Sequence, residues 1–295
     1  MKLRADNCVE DILVKFNQDL AQYFNANVVF LRAPIEIGLD NIVRDVIEDI
    51  ANDAELKRGT LVVLIETTGG YIEVVERIYE VFRKNYNKVN FVVPNYAYSA
   101  GTVLVLSGDE IYMDYYSVLG PIDPQIQNEE GKVVPGLGYL AKFDELVNKI
   151  NKSSQPLRAE IAYLLKRFDP ATLFLLEQAK NHSTSLLIDW LSRHKFKDWV
   201  RTDGTGKVVT EQMRRDRARA IAETLANPER WNSHGRGIGL KHLTGDEIKL
   251  KIVDFGSDHD LNKLIRQYYD LFIDFCQKTG ARSAIHSVRG LRRIR

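Results

Sequence analysis

An uninterrupted apolar run, Leu61, Val62, Val63, Leu64 and Ile65, stops abruptly at Thr67, Thr68, Gly69 and Gly70. A run with no alternating polar residue has no face to turn to water, so it predicts a strand buried on both sides in a parallel, helix-covered sheet. The next residues place Ile72, Val75, Ile78, Tyr79 and Phe82 on one helical face, and residues 89–93 form a second apolar run. Strand, helix and strand then read as one right-handed crossover unit. The pattern repeats, with residues 99–106 a helix of small and apolar side chains and residues 110–113 another strand. The fold class is therefore α/β with parallel strands.

The flanks extend this unit. Ile12, Leu13, Phe16, Leu20 and Phe24 recur at three- and four-residue steps, as do Ile42, Val43, Val46 and Ile50, so two amphipathic helices are expected around a short strand at residues 28–31. Both helices are expected to precede the main sheet. Residues 127–155 turn polar and glycine-containing and are expected to form an inserted or mobile segment, with a short helix at 139–150. Pro170 behind Asp169 predicts the start of a long helix running toward Trp190. Residues 210–226 read as a helix with a solvated face carrying Arg214, Arg215, Arg217 and Arg219, and the basic end from Ala281 is expected to be disordered. This divides the chain into a helical region at 1–55, a main α/β domain at 56–260, and a C-terminal helix and basic tail at 261–295.

Composition narrows the partners. In 295 residues, 41 basic side chains nearly cancel 40 acidic ones, so nothing in the net charge of +1 favours nucleic acid. Cys8 and Cys276 stand far apart without ligand spacing, which predicts neither a disulfide framework nor a metal site, and no cofactor motif or P-loop is present. No run of eighteen apolar residues and no signal-peptide core occurs, so a cytoplasmic protein without a membrane span is expected.

Chemistry concentrates at the segment Phe91-Val-Val-Pro-Asn-Tyr-Ala-Tyr-Ser-Ala-Gly-Thr102, where a buried strand passes through a turn into a helix of small residues. Ser99 falls at the junction. A hydroxyl there lies beside unpaired helical N–H groups and the positive end of the helix dipole, surroundings that favour an alkoxide or a tetrahedral oxyanion. A serine at a helix start more often serves as an N-cap. The second feature is the loop Thr68-Gly69-Gly70, which ends the preceding strand in the right topological place to present backbone N–H groups beside Ser99. Gly69, Gly70 and Ala100 are the candidate oxyanion hole, with the Gly69 and Ala100 N–H groups as donors.

The Thr-Gly-Gly loop, the Tyr-Ala-Tyr-Ser-Ala-Gly-Thr elbow and the later Val118-Leu-Gly-Pro-Ile-Asp-Pro-Gln125 together resemble the serine dehydrogenase proteinase family, which is related to signal peptide peptidase A and the Clp proteolytic subunit. The resemblance is best from residue 61 to 126, with an echo at Ser233-His234-Gly-Arg-Gly-Ile238 of the family's Thr-His-Asp-Tyr-Pro-Ile segment. It implies a Clp/crotonase-like spiral of ββα units, Ser99 as nucleophile, an oxyanion hole from the glycine loop and the residue after the serine, and a homo-oligomer. Thr68 stands where relatives commonly have proline, and Ala100 where many have glycine.

A serine hydroxyl needs a base to become a nucleophile. No histidine lies between Ser99 and His182, which disfavours a Clp-type triad. Signal peptide peptidase A and its relatives use a lysine from the helical region after the elbow, and this chain offers Lys180, with Lys142, Lys149, Lys152 and Lys166 also in that region. Lys180 is the leading candidate base and His234 its competitor; the bland readings are an exposed helix lysine and a turn-shaping histidine. Asp123 either orients the base or shapes its loop.

The expected activity is hydrolysis of peptide bonds in an extended peptide or protein substrate, through an acyl-enzyme on Ser99. Two alternatives stay open: a crotonase-type acyl-CoA enzyme using the same oxyanion hole, and a catalytically silent assembly or recruitment module. A separate regulatory partner is compatible with all three, and any ATP dependence must come from another chain.

Overall fold

The computed structural model describes residues 4–122, 125–127, 133–152, 159–202, 204–231 and 235–294. In chain order the elements are α1 (Arg4–Phe24), β1 (Asn27–Arg32), α2 (Leu39–Ala51), β2 (Thr60–Glu66), α3 (Ile72–Asn85), β3 (Lys88–Val92), β4 (Tyr96–Ala97), α4 (Ala100–Leu106), β5 (Glu110–Met113) and β6 (Val118–Leu119). Then come β7 (Gln125–Gln127), β8 (Val133–Pro135), α5 (Gly136–Asn151), α6 (Ala159–Leu165), α7 (Pro170–Trp190), α8 (Glu211–Leu225), α9 (Pro228–Trp231), β9 (Ile238–Gly239) and α10 (Leu240–Thr244). The chain closes with β10 (Val253–Asp254), α11 (His259–Lys278), β11 (Ser283–Ser287) and β12 (Gly290–Ile294).

A seven-stranded sheet in the order β10-β5-β3-β2-β1-β11-β12 forms the centre, parallel from β10 through β1 and antiparallel at β11. Strand alternation divides the apolar side chains between two layers. Val29, Leu31, Leu61, Val63 and Ile65 face the core shared with α2, α3, α4, α7 and α8, whereas Val28, Phe30, Val62 and Leu64 face the core shared with α1 and α11. Burial of β2 on both faces is the reason its sequence carries no polar alternation. A second sheet, β4-β6-β9, stands at the carboxyl end of the first, so that β3, β4 and α4 make one ββα turn of the chain and β5 and β6 begin the next.

The N-terminal region is woven into this core. β1 lies between β2 and β11, and α1 packs against α11 across the sheet from the site helices. β1 is thus a strand of the main sheet, and only α1 precedes it in sequence. The basic C-terminal segment, expected to be disordered, is instead the β11–β12 hairpin. Ala284, Ile285 and His286 of β11 are buried beside β1, and Arg289 and Arg292 pair with Asp49, Asp53 and Asp45 around α2. The β11 sequence Ser-Ala-Ile-His-Ser carries no charged side chain into the sheet, and carboxylates around α2 neutralise Arg289 and Arg292 of the hairpin. In the polar segment 127–155, the described part forms the β7–β8 hairpin and α5, and the remainder lies outside the described residues. Of the α8 arginines, Arg217 donates to Ile248 O, Arg215 lies 3.7 Å from Asp189, and exposed Arg219 pairs with Asp216 on the helix's own surface. No described helix is long and apolar enough to cross a membrane.

Phe30 has no exposed surface and stacks on Phe272 with ring centroids 4.1 Å apart. Phe30→Ala is expected to destabilise the fold by about 3–5 kcal/mol through lost burial and a residual cavity, measured as a fall in the urea midpoint. His286 is fully buried with Nδ1 2.5 Å from the Tyr268 hydroxyl and Nε2 without a partner, and burial pushes its pKa down from 6.5 to about 3. Burial and then the Arg83 charge push His194 down to about 4. Both folded values lie below the unfolded one, so the unfolded chain takes up these protons first. Stability is therefore expected to be complete above pH 6.5 and to fall as pH drops toward 4, with His194→Gln flattening the urea-midpoint profile in that window.

Candidate functional site

Ser99 occupies the junction between β4 and α4 with φ 54° and ψ −121°, a conformation that a non-glycine residue adopts only under constraint from its surroundings. Its side chain does not cap α4, and its hydroxyl makes no hydrogen bond among the described residues. The common role of a serine at a helix start is therefore absent here.

Three neighbours hold the elbow. Gly69, at φ 90°, lies so close that an added Cβ would come within 2.8 Å of Ser99 Cβ and 2.5 Å of Tyr98 O. On the other side, a Cβ on Gly120 would come within 3.2 Å of Ser99 N. Thr102, one turn into α4, donates its hydroxyl proton to Ala97 O at 2.8 Å and accepts the Gly120 N–H at 2.9 Å. Glycine is required at 69 and 120 because backbone, rather than side chain, must reach the serine.

The glycine loop is aligned by its own ladder. Ile35 N–H donates to Gly69 O at 2.8 Å and Tyr71 N–H donates to Ile35 O at 2.9 Å. Thr67 and Tyr98 exchange backbone bonds with the elbow strand and loop, Thr67 N–H to Tyr96 O and Tyr98 N–H to Thr67 O. Gly69 N–H, an expected donor, is engaged by Thr67 Oγ1 at 3.1 Å. The N–H groups of Gly70 and Ala100, in contrast, make no hydrogen bond among the described residues. The local geometry thus leaves the Gly70 N–H in the loop and the Ala100 N–H at the first residue of α4 among the unbonded backbone donors near Ser99.

Beneath the loop, Glu66 is 4% exposed and accepts from Arg32 Nε at 2.9 Å, from Asn95 Nδ2 at 3.0 Å and from the Tyr269 hydroxyl. One buried carboxylate therefore ties β1, the end of β2, the segment before β4, and α11. Its position next to Thr67 was the only signal in the sequence for this role, and a charge ending an apolar strand is not distinctive.

The expected bases are placed differently. His234, Ser233 and Asp123 lie outside the described residues. The described end of their segment does reach the elbow region, since Leu119 of β6 pairs with Ile238 of β9. Lys142 and Lys149 both pair with Glu145, and Lys152 and Lys166 are exposed. Lys180 is exposed too, on α7 between buried Leu176 and buried Leu187. α7 packs on α3 and α4, the helices that begin beside Gly70 and Ser99. A lysine with a pKa lowered by burial does exist, Lys195 at about 8, yet its Nζ donates to Asp109 O at the start of β5. That point lies past the C-terminal end of α4, about 10 Å of helix away from Ser99. Among the described residues no group of three or more His, Cys, Asp or Glu side chains is arranged to hold a metal ion.

Residues 41–136 match the family described as ClpP-like SDH-type serine proteinase. Two uncharacterized proteins of Methanocaldococcus jannaschii are 40% and 38% identical over 63 residues, 21% of this chain and 22% of each relative. The matched stretch is thus about a fifth of the length of those curated relatives. Among solved structures, the chain is similar to a serine-to-alanine variant of the 1510-N membrane-bound stomatin-specific protease, with 12% identity and TM-score 0.46 over 81% of this chain and 82% of that one. A lysine-to-alanine variant of that protease in complex with a substrate peptide gives 13% identity and TM-score 0.45 over 77% and 75%. The ClpP catalytic domain from Plasmodium falciparum gives 14% identity and TM-score 0.28 over 35% and 59%.

Gly69→Ala is expected to reduce reaction of Ser99 with a fluorophosphonate by 100-fold or more, because its Cβ collides with the elbow and displaces the adjacent donors. Gly138→Ala, in α5 with nothing within 4 Å of the added carbon, is expected to react at the wild-type rate. Intact-mass kinetics on both variants, with circular dichroism to establish folding, checks the pair.

Proposed function

We propose that this chain, which carries the ClpP-like SDH-type serine proteinase segment at residues 41–136, is a serine peptidase that cleaves peptide or protein substrates through an acyl-enzyme on Ser99. The observation that supports this reading most directly is the strained, uncapped serine at φ 54° between two close glycines. A structural serine has no reason to sit in such a conformation, and the cost is of order 1–3 kcal/mol.

Lys180 is the base. Its neutral amine takes the Ser99 proton as Oγ attacks the scissile carbonyl, and the resulting oxyanion accepts hydrogen bonds from the Gly70 and Ala100 N–H groups. Collapse expels the amine product, which receives the proton from Lys180. A water molecule, deprotonated by the same amine, then attacks the ester and releases the acid product with Ser99 restored. Gly69 serves the turn, since its own N–H is bonded to Thr67. Lys180 lies on α7, which packs on α3 and α4, whereas Lys142 and Lys149 are held by Glu145.

Fluorophosphonate labelling with peptide mapping tests this. Wild type is expected to label at Ser99, Ser99→Ala not at all, and Lys180→Ala about 100-fold or more slowly, the usual worth of a general base. His234→Ala, Lys142→Ala and Lys149→Ala are expected to label like wild type. Loss of labelling in His234→Ala alone would transfer the base to that histidine. A folded wild-type protein that does not label would remove the peptidase reading.

A further inference from the structure

We propose that a cleft at the amino-terminal edge of the main sheet binds a nucleoside monophosphate, with Asn17 meeting the edge of its base and Arg58 its phosphate. The site is independent of the peptidase reading, because it lies at the opposite end of the strands from Ser99. β1 and β2 begin at the cleft and run in parallel toward Glu66 and the glycine loop, so six residues of strand, about 20 Å, separate the two places.

The cleft has a volume of about 430 Å³, within the range of small-molecule sites. It opens between the last turns of α1, the start of β1, the end of α2, the segment leading into β2 and the turn of the β11–β12 hairpin. Asn17 lines it while only 1% exposed. Asn17 Nδ2 donates to Val28 O at 2.9 Å and to the Tyr268 hydroxyl at 3.2 Å. A carbonyl can only accept, so the nitrogen is fixed on that side and both of its protons are engaged. Oδ1 accepts no hydrogen bond among the described residues, and unlike His286 Nε2 it is not sealed from solvent. A buried acceptor left open to a cleft calls for a donor from a ligand.

The rest of the lining defines that ligand. Gln18, Gln22 and Asn25 are exposed, and their amides make no hydrogen bond among the described residues. Side-chain amides present a donor beside an acceptor, the pattern that matches the edge of a nucleobase. Ala21, Ile50, Leu56 and Val288 add apolar surface for the faces of a planar ring. Arg58 is the one charged residue of the lining. Its backbone N–H donates to Asn27 Oδ1 at 3.2 Å, so the arginine and the buried amide are tied to consecutive residues at the start of β1. Its guanidinium donates through Nη1 alone, to Glu55 O and Lys57 O, and pairs with no carboxylate among the described residues. Nε and Nη2 are left to form the fork that recognises a phosphate.

The test is isothermal titration calorimetry of the full chain with AMP, GMP, CMP and UMP, with the matching nucleosides and with inorganic phosphate, on wild type, Arg58→Gln, Gln22→Ala, Ala21→Phe and Ser99→Ala. At least one monophosphate is expected to bind wild type more tightly than about 1 mM, and more tightly than inorganic phosphate. Arg58→Gln is expected to weaken that monophosphate about 10-fold or more while leaving its nucleoside unaffected. Ala21→Phe, which fills the cleft, is expected to abolish binding of both, with the thermal midpoint reporting its fold. Gln22→Ala, at an exposed position, is expected to weaken both and serves the same purpose if Ala21→Phe fails to fold. Ser99→Ala is expected to bind like wild type. Absence of binding by all four monophosphates, inorganic phosphate binding as tightly as they do, wild-type affinity in Arg58→Gln and Gln22→Ala, or loss of binding in Ser99→Ala would each overturn the site.

Discussion

The buried Glu66 carboxylate is the constraint on which the geometry of the site depends. Charge at 4% exposure is stable only with its lone pairs filled, and Arg32, Asn95 and Tyr269 fill them from three different parts of the chain. Because Glu66 is the last residue of β2 and Asn95 immediately precedes β4, the same carboxylate sets the distance between the glycine loop and the serine elbow. Backbone bonds from Thr67 to Tyr96 and from Tyr98 to Thr67 then transmit that spacing to Gly69 and Ser99. Losing any one of the three donors would leave an under-compensated buried charge directly beneath the loop, so stability and alignment are coupled at this point.

Strain at Ser99 follows from the same arrangement. A positive φ in a residue with a side chain is unfavourable, and it persists because Gly69 and Gly120 close on the elbow from two sides while Thr102 bonds to both Ala97 and Gly120. The sheet beneath supplies the excess stability, with two apolar layers meeting strands that are buried on both faces. Pre-organisation of this kind places backbone N–H groups before any charge develops, which is where electrostatic stabilisation of a tetrahedral oxyanion is most effective.

The helix that carries Lys180 is held on different terms. Loop and elbow are locked by backbone, whereas α7 carries Lys180 on a helix whose nearest polar contact to the glycine loop, Glu76 to His182, is partly solvated. The buried Lys195 shows that the fold can depress a lysine, but it does so at Asp109, among Arg83 and Lys197, at the far end of α4.

Periodicity in the sequence determined the α/β class, the β2–α3–β3 unit, the capped start of α7 at Pro170, and Ser99 at a strand-to-helix junction beside a glycine loop, because each of these is encoded within a few residues. Pairing between distant segments was decided by tertiary structure alone. The entry of β1 and β11 into the main sheet, the burial of Glu66, and the ordering of the basic C-terminal segment depend on partners far away in sequence, such as Arg282, 250 residues from Arg32, whose carbonyl accepts from it. The division of labour within the glycine loop was equally invisible: the sequence pointed to the Gly69 N–H as the donor, but the Thr67 hydroxyl engages it, whereas the Gly70 N–H makes no bond among the described residues. Local pattern reports which backbone conformations a segment favours, but a functional donor or base is defined by what is left unbonded once every other segment has packed.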